Sequence, residues 1–187
     1  MCIRDRLYFF MMTTANGLYE RGPWEIDWHN TDEEFNDFAI QQLEQMDTLV
    51  FGRKTYEGMA AYWPTPEPIA SDPIVAGKMN GLAKVVVSKT LPRADWSNTR
   101  VVREPEAIAA LKREPGKDAL LIGSSDLAVS LGALGLIDEY RIMVAPIAIG
   151  SGKPVLQGLA RDLKLTLLRT RTFKNGNVLL AYAPAGA

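Results

Sequence analysis

The segment Thr48-Leu49-Val50-Phe51-Gly52-Arg53-Lys54-Thr55-Tyr56-Glu57 decides the fold. Its first four residues read as a short buried strand, and a glycine follows at the point where helix-forming residues begin. Strand, glycine, helix is the repeating unit of an open α/β sheet. A helix N-terminus exposes unsatisfied N–H groups and the positive end of the helix dipole, so such a turn is a natural anion site. Arg53, Lys54 and Thr55 add two cations and a hydroxyl, a grip suited to a cofactor phosphate. The same two cations would also be at home as solvated surface groups.

Outward from this segment the pattern repeats. Upstream, Leu7-Tyr8-Phe9-Phe10-Met11-Met12 is apolar throughout and ends at Thr13-Thr14-Ala15-Asn16-Gly17, a buried strand leaving the sheet at a turn. Thr31 with Glu34 reads as a capping box, and Phe35, Phe38, Ala39, Leu43 and Met46 recur at helical spacing, predicting a helix from Asp32 to Gln45. Downstream, Trp63 to Pro68 reads as loop, Asp72-Pro73 as a helix start, and Ala83–Val87 and Thr99–Val102 as strands. Glu104–Lys112 predicts a helix. Ala119–Ile122 is a buried strand closed by Gly123-Ser124-Ser125, with a helix through Leu131. Glu139–Val144 is the next strand, followed by the loop Gly150-Ser151-Gly152-Lys153-Pro154. Leu163–Phe173 and Asn177–Tyr182 flank Lys174-Asn175-Gly176, a strong hairpin signal. Alternating strands and helices closing in a hairpin imply an α/β fold: a mostly parallel sheet, helices on both faces, an antiparallel edge.

Composition bounds the partners. The chain has 187 residues, 47% hydrophobic, with 21 basic against 22 acidic residues and a net charge of −1. That balance gives no electrostatic footprint for nucleic acid, and no apolar run reaches the roughly 20 residues of a membrane span. A small molecule is the expected partner. One cysteine and one histidine exclude an internal disulfide and a Cys/His zinc site, and no metal site is expected. The first six residues, Met1-Cys2-Ile3-Arg4-Asp5-Arg6, match a translated sequencing adapter and are expected to be non-native. Without Cys2 the chain is cysteine-free, which fits a reducing cytoplasm, and residues 7–184 are expected to form one domain.

Three strand ends then carry the chemistry: Gly52-Arg53-Lys54-Thr55, Ser88-Lys89-Thr90, and the uncharged Gly123-Ser124-Ser125, which suits close backbone approach to a pyrophosphate. A phosphorylated dinucleotide is the ligand class these turns predict.

In this order the motifs Met12 to Gly17, Gly52 to Glu57, Val87-Ser88-Lys89-Thr90-Leu91, Ile122-Gly123-Ser124, and Ile137-Asp138-Glu139-Tyr140 leading to Pro146 and Gly150-Ser151-Gly152 resemble the dihydrofolate-reductase-like superfamily. They are most similar to the C-terminal reductase domain of the riboflavin-biosynthesis deaminase-reductase. The resemblance covers Leu7 to Pro184 and rests on motif order. It implies a three-layer fold and an NADPH-dependent reductase acting on a pteridine-like or aminopyrimidine substrate, in a homodimer. It also implies that Gly52, Arg53, Lys54 and Thr55 bind cofactor phosphates, and that Ser88 and Lys89 lie by the adenosine and its 2′-phosphate. Gly123, Ser124 and Ser125 would then follow the pyrophosphate, and Thr13 and Thr14 border the nicotinamide. Asn16 stands where the riboflavin-type enzymes carry aspartate, which removes a carboxylate beside the expected substrate.

Proton delivery to the reduced carbon's neighbouring nitrogen calls for a carboxyl or a water that it orders. Glu34-Phe35-Asn36-Asp37-Phe38 matches the acidic pattern of folate reductases and makes Glu34 the catalytic candidate, with Asp32 second and Glu25, Asp27 and His29 behind. The capping box with Thr31 is the stronger reading of Glu34, since it fully explains the residue's type and place. Trp24 reads either as part of a loop closing over the nicotinamide or as a core anchor, and Trp63 either as the wall of a flat ligand or as packing or a dimer contact. Asp138-Glu139 reads as a solvated edge or a salt bridge. A non-catalytic nucleotide binder or ligand-sequestering dimer is the alternative to a reductase.

Overall fold

The computed structural model describes residues 6–186. Of the segment read as adapter-derived, residues 1–5 lie outside the described residues. The elements run β1 (Leu7–Thr14), β2 (Leu18–Glu20), α1 (Glu33–Glu44), β3 (Met46–Gly52), α2 (Arg53–Tyr62), α3 (Pro66–Ser71), α4 (Pro73–Gly81), β4 (Ala83–Val87) and β5 (Thr99–Val102). They continue with α5 (Ala107–Leu111), β6 (Asp118–Ile122), α6 (Ser125–Ala133), β7 (Glu139–Ala145), β8 (Lys153–Pro154), β9 (Leu165–Thr172) and β10 (Val178–Pro184).

Eight strands form one sheet in the order β5-β4-β3-β6-β1-β7-β10-β9. The first six of these run parallel; β10 and β9 are antiparallel, as the hairpin predicts. The two-residue side-chain period sorts the strand residues onto two faces. Phe9, Met11, Val50, Val85 and Leu121 pack with Ile108 and Leu111 of α5 and Leu127 and Leu131 of α6. Tyr8, Leu49, Phe51, Val86 and Leu120 meet Leu43 of α1, Tyr56 of α2, and Val75 and Met79 of α4. A third cluster, with Met12, Phe38, Met143 and Phe173, extends the α1 side toward the hairpin. Burial on both faces explains why the parallel strands read as continuous apolar runs.

Several local expectations change. The stretch read as loop holds α3, because Pro66 and Pro68 fall in its first turn, where a missing N–H leaves no bond unmade. The helix expected from Glu104 begins at Ala107; residues 104–109 are instead joined by i to i+3 backbone bonds. Asp32, not Thr31, caps α1, its Oδ1 accepting from Phe35 N at 2.9 Å, so the capping box does not form. The Asn-Gly turn has positive φ at Gly176 alone (+89°), with Gly176 N donating to Phe173 O at 3.0 Å. It is therefore not the mirror-image turn of a two-residue hairpin, which needs positive φ at both central residues. The short pair β2 and β8 was not foreseen. It brings Gly152 against the Glu20 carbonyl, where any Cβ would clash with backbone at 2.4 Å.

One buried cation has no carboxylate partner. Lys84, 1% exposed, donates to the Asn80, Leu82 and Ser97 carbonyls at 2.8–3.2 Å and lies 4.4 Å from the Trp96 ring centre, closing the end of α4.

Candidate functional site

The carboxyl ends of β3, β4 and β6 line up on one edge of the sheet, where an open α/β fold receives ligands. Gly52 and Val87 are register partners, so Ser88 follows directly beside the start of α2. Gly123 leaves β6 with its N–H donating to Phe10 O at 2.9 Å.

Hydroxyl groups tie these ends together. Ser124 Oγ accepts from Gly52 N at 2.7 Å and donates to Thr55 Oγ1 at 2.8 Å. Ser124 takes the left-handed conformation (φ 57°, ψ 59°) immediately after Gly123 at φ 59°, so two successive residues turn the chain the same way before α6. The space is tight. A Cβ on Gly123 would meet Thr55 Cγ2 at 3.3 Å, and one on Gly52 would meet Ser124 Oγ at 3.1 Å. Ser125 Oγ accepts from Leu156 N at 2.7 Å, fastening the loop after β8, and Ser88 Oγ accepts from Thr90 and Leu91 N–H groups. Of the predicted hydroxyl residues, Ser124 and Thr55 are brought together, while Ser88 and Ser125 each fasten a loop, so all four serve as the internal frame of the turns.

What remains for a ligand is backbone and cations. Gly52 caps α2 without a side-chain hydrogen bond, and the first turn of α2 carries no acidic residue, so its N–H groups and dipole are unneutralised. Arg53 pairs with Glu57 at 3.0 Å along the exposed helix surface, a contact easily exchanged for a phosphate. Lys54 is exposed and has no ion-pair partner among the described residues. Lys89, also exposed, pairs with Glu104 at 3.0 Å. A cleft of about 810 Å³ opens on the flank of α2, lined by Glu57, Tyr56, Leu91, Arg93 and Trp96 among others.

The other half of the site differs. Thr13 and Thr14 are buried at the end of β1; the Thr14 hydroxyl donates to Asn16 Oδ1 at 2.7 Å and accepts from Leu18 N at 3.0 Å. Asn16 donates from Nδ2 to Ile149 O at 2.9 Å and accepts from Ile149 N at 3.3 Å. Expected beside the substrate, Asn16 works as a clasp between the β1 turn and the loop after β7. Glu34 accepts from Lys174 N at 2.9 Å and from Arg171 at 3.2 Å, joining the start of α1 to the β9–β10 hairpin. Those hydrogen bonds, the Lys174 N–H first, hold its carboxyl below the usual glutamate range. Asp32 is the exposed cap of α1.

Trp24, 44% exposed and at φ +66°, lies flat on Gly58 of α2: a Cβ there would fall 2.0 Å from its ring. The Trp24 backbone N–H donates to Glu20 Oε2, while Lys153 holds Glu20 Oε1. The loop before α1 thus folds onto α2. Trp63 stands at the opposite end of α2, its indole N–H 3.1 Å from Met59 Sδ and its carbonyl accepting from Asn80, which is a packing role. In the same loop, His29 stands edge-on to Trp28 at 4.6 Å, and burial pushes its pKa down to about 4. Asp138 and Glu139 form salt bridges, to Lys112 and to Arg141 and Arg169, and Glu139 is fully buried. Among the described residues no group of three His, Cys, Asp or Glu side chains could hold a metal ion, and no helix is long and apolar enough to cross a membrane.

The family model of the RibD C-terminal domain matches residues 6–179. The chain belongs to the RibD C-terminal domain family. An uncharacterized protein of Bacillus subtilis (strain 168), YyaP, is 31% identical over 183 residues, covering 95% of this chain and 94% of that protein. A putative riboflavin biosynthesis protein from Shewanella sp. PV-4 superposes with a TM-score of 0.71 at 21% identity, covering 96% of this chain and 98% of the other. Dihydrofolate reductase from Enterococcus faecalis, solved with NADP(H), superposes with a TM-score of 0.68 at 16% identity over 99% of both chains. The predicted dihydrofolate-reductase-like fold is therefore the fold observed, a reductase-type scaffold within the RibD C-terminal domain family.

Proposed function

We propose that this protein is an NADPH-dependent reductase of the pteridine or aminopyrimidine type. The observation that carries the reading is the start of α2: a helix N-terminus without a side-chain cap, with Arg53 and Lys54 beside it, framed by Gly52, Gly123 and Ser124 so tightly that a Cβ on either glycine would press on Ser124 or Thr55. That arrangement fits a phosphate-bearing dinucleotide. Arg53, Lys54 and Lys89 would hold its phosphates, the Gly123-Ser124 turn would admit the pyrophosphate against backbone, and Thr13 and Thr14 would border its ring. When bound, NADPH supplies a hydride.

The chain's own residues do the rest. The Asn16 clasp would hold in place the β1 turn that borders the ring, and the Trp24 loop, packed on Gly58 of α2, would limit the access of water. Glu34, held as a carboxylate by Lys174 and Arg171, acts by ordering a water that delivers the proton, with Asp32 too exposed to do so. A second reading, a nucleotide binder without turnover, draws on the same pairing of Glu34, which removes it as a direct acid.

A panel of dihydrofolate, dihydropterins and a ribosylaminopyrimidine, offered with NADPH while cofactor absorbance is followed, separates the two. Oxidation of NADPH with one of them supports the reductase. Tight NADPH binding with no turnover on any would favour the silent binder.

A further inference from the structure

On the α1 side of the sheet, a groove of about 220 Å³ lies between α1 and the edge strand β9. β9 stands five strands from β3, on the order of 24 Å at about 4.8 Å per strand. The groove is therefore separate from the α2 start. Its polar walls are Gln41, Gln42 and Gln45 from α1 and Arg141, Arg169 and Arg171 from the sheet, over a floor of Phe38 and Leu179.

The sheet register builds this convergence. Arg141 on β7, Ala181 on β10 and Arg169 on β9 are cross-strand partners, and the small Ala181 side chain lets the two guanidinium groups meet above it. Both donate to Glu139 Oε1 at 2.7 Å. Arg171, two residues along β9 and so on the same face, stacks on Phe173 at 4.4 Å and donates to Glu34. Three guanidinium groups thus meet two carboxylates, and one positive charge is left over. Gln42 Oε1 accepts from Arg141 Nη1 at 3.0 Å, which leaves its amide N–H groups as donors.

We propose that this groove binds a small oxyanion ligand, a phosphate monoester or a carboxylate, gripped by Arg169 and Arg171 above the buried Arg141. The lining contains hydrogen-bond donors and no acidic residue. Its volume equals that of about seven waters at about 30 Å³ each, enough for an anionic head and a short substituent. Arg169 and Arg171 are half exposed and offer unused N–H groups in the planar fork that suits bidentate oxyanion binding. Charge on an edge strand also deters strand-to-strand aggregation. That role explains arginines on β9, but not Arg141, which is 5% exposed and turned to the same groove from an interior strand.

The test follows the arginine side-chain N–H signals by NMR in the Arg53→Ala/Lys54→Ala background, where phosphate binding at the α2 start is removed. Titration with inorganic phosphate is expected to move the Arg169 and Arg171 signals along a saturable curve, while chloride at equal ionic strength does not. Arg169→Gln with Arg171→Gln should weaken the phosphate response at Arg141 at least tenfold, and a parallel titration with succinate shows whether carboxylates share the site. Responses that are linear in concentration, equal for chloride, or unchanged in the double variant overturn the proposal. Because the comparison of phosphate with chloride needs no substitution in the groove, poor folding of the Arg169→Gln/Arg171→Gln variant would not rescue it. The inference needs neither a cofactor nor turnover, and shares with the reductase reading only Arg171, which also holds Glu34.

Discussion

The two halves of the candidate site are built from the same residue types and treat them in opposite ways. At the ends of β3, β4 and β6, side-chain hydroxyls close on one another and on backbone, and the turn they frame presents N–H groups and cations outward. At the end of β1 and the start of α1, the polar groups that would face a substrate close on the protein itself: Asn16 on Ile149, Glu34 on Lys174 and Arg171. A phosphate grip needs only backbone and charge, so its frame can be self-satisfied. A chemical site needs free side chains, and here they are engaged.

The largest test of this contrast is pH. His29, in the loop before α1, has its pKa pushed to about 4 by burial against an unfolded value near 6.5. The unfolded chain takes up the proton first, so stability is full above about pH 6.5 and falls as pH drops toward 4, by on the order of 3 kcal/mol. Urea melts across that range should show the slope, and His29→Gln should flatten it; an unchanged slope would remove His29 as its cause.

Ser124→Ala comes next. It strands the Gly52 N–H and the Thr55 hydroxyl together, and should cost about 2 kcal/mol in urea unfolding. NADPH binding should weaken with it. If affinity stayed at the wild-type level, the serine frame would not position the cradle.

Asn16→Asp restores the carboxylate of the riboflavin-type relatives but turns the donor facing Ile149 O into an acceptor. A loss of about 1 kcal/mol is expected, with NADPH affinity within twofold of the parent. A large drop in affinity instead would mean that the β1 turn belongs to the cofactor half. Glu34→Gln should be the mildest for stability, since it keeps a carbonyl for Lys174 N, while kcat on any substrate found should fall about tenfold with loss of the water-ordering carboxylate. A hundredfold loss would make Glu34 the direct acid after all.

Strand and helix order was legible because buried parallel strands are apolar on both faces and each is stopped by glycine or serine, as Phe51-Gly52 and Ile122-Gly123 are. Local ends were less so. A one-residue change of cap from Thr31 to Asp32 moved Glu34 out of the box and freed it to reach the hairpin 140 residues away, which no short-range pattern encodes. The Arg141–Ala181–Arg169 row was hidden for the same reason: its members are spread over three strands and meet only through register. Alternation of arginine with threonine in Leu165–Thr172 was the available signal, since it marks one charged face on an edge strand.

The central claim is that the start of α2 grips the phosphates of NADPH. Fluorescence titrations of the wild-type protein and of Arg53→Ala/Lys54→Ala with NADPH and NADH test it most directly. If Arg53 and Lys54 reach the 2′-phosphate that NADH lacks, two charge-assisted contacts of about 1.5 kcal/mol each predict roughly a hundredfold loss for NADPH and little change for NADH. Equal losses for both cofactors, or no NADPH binding to the wild-type protein at micromolar concentration, would contradict the account.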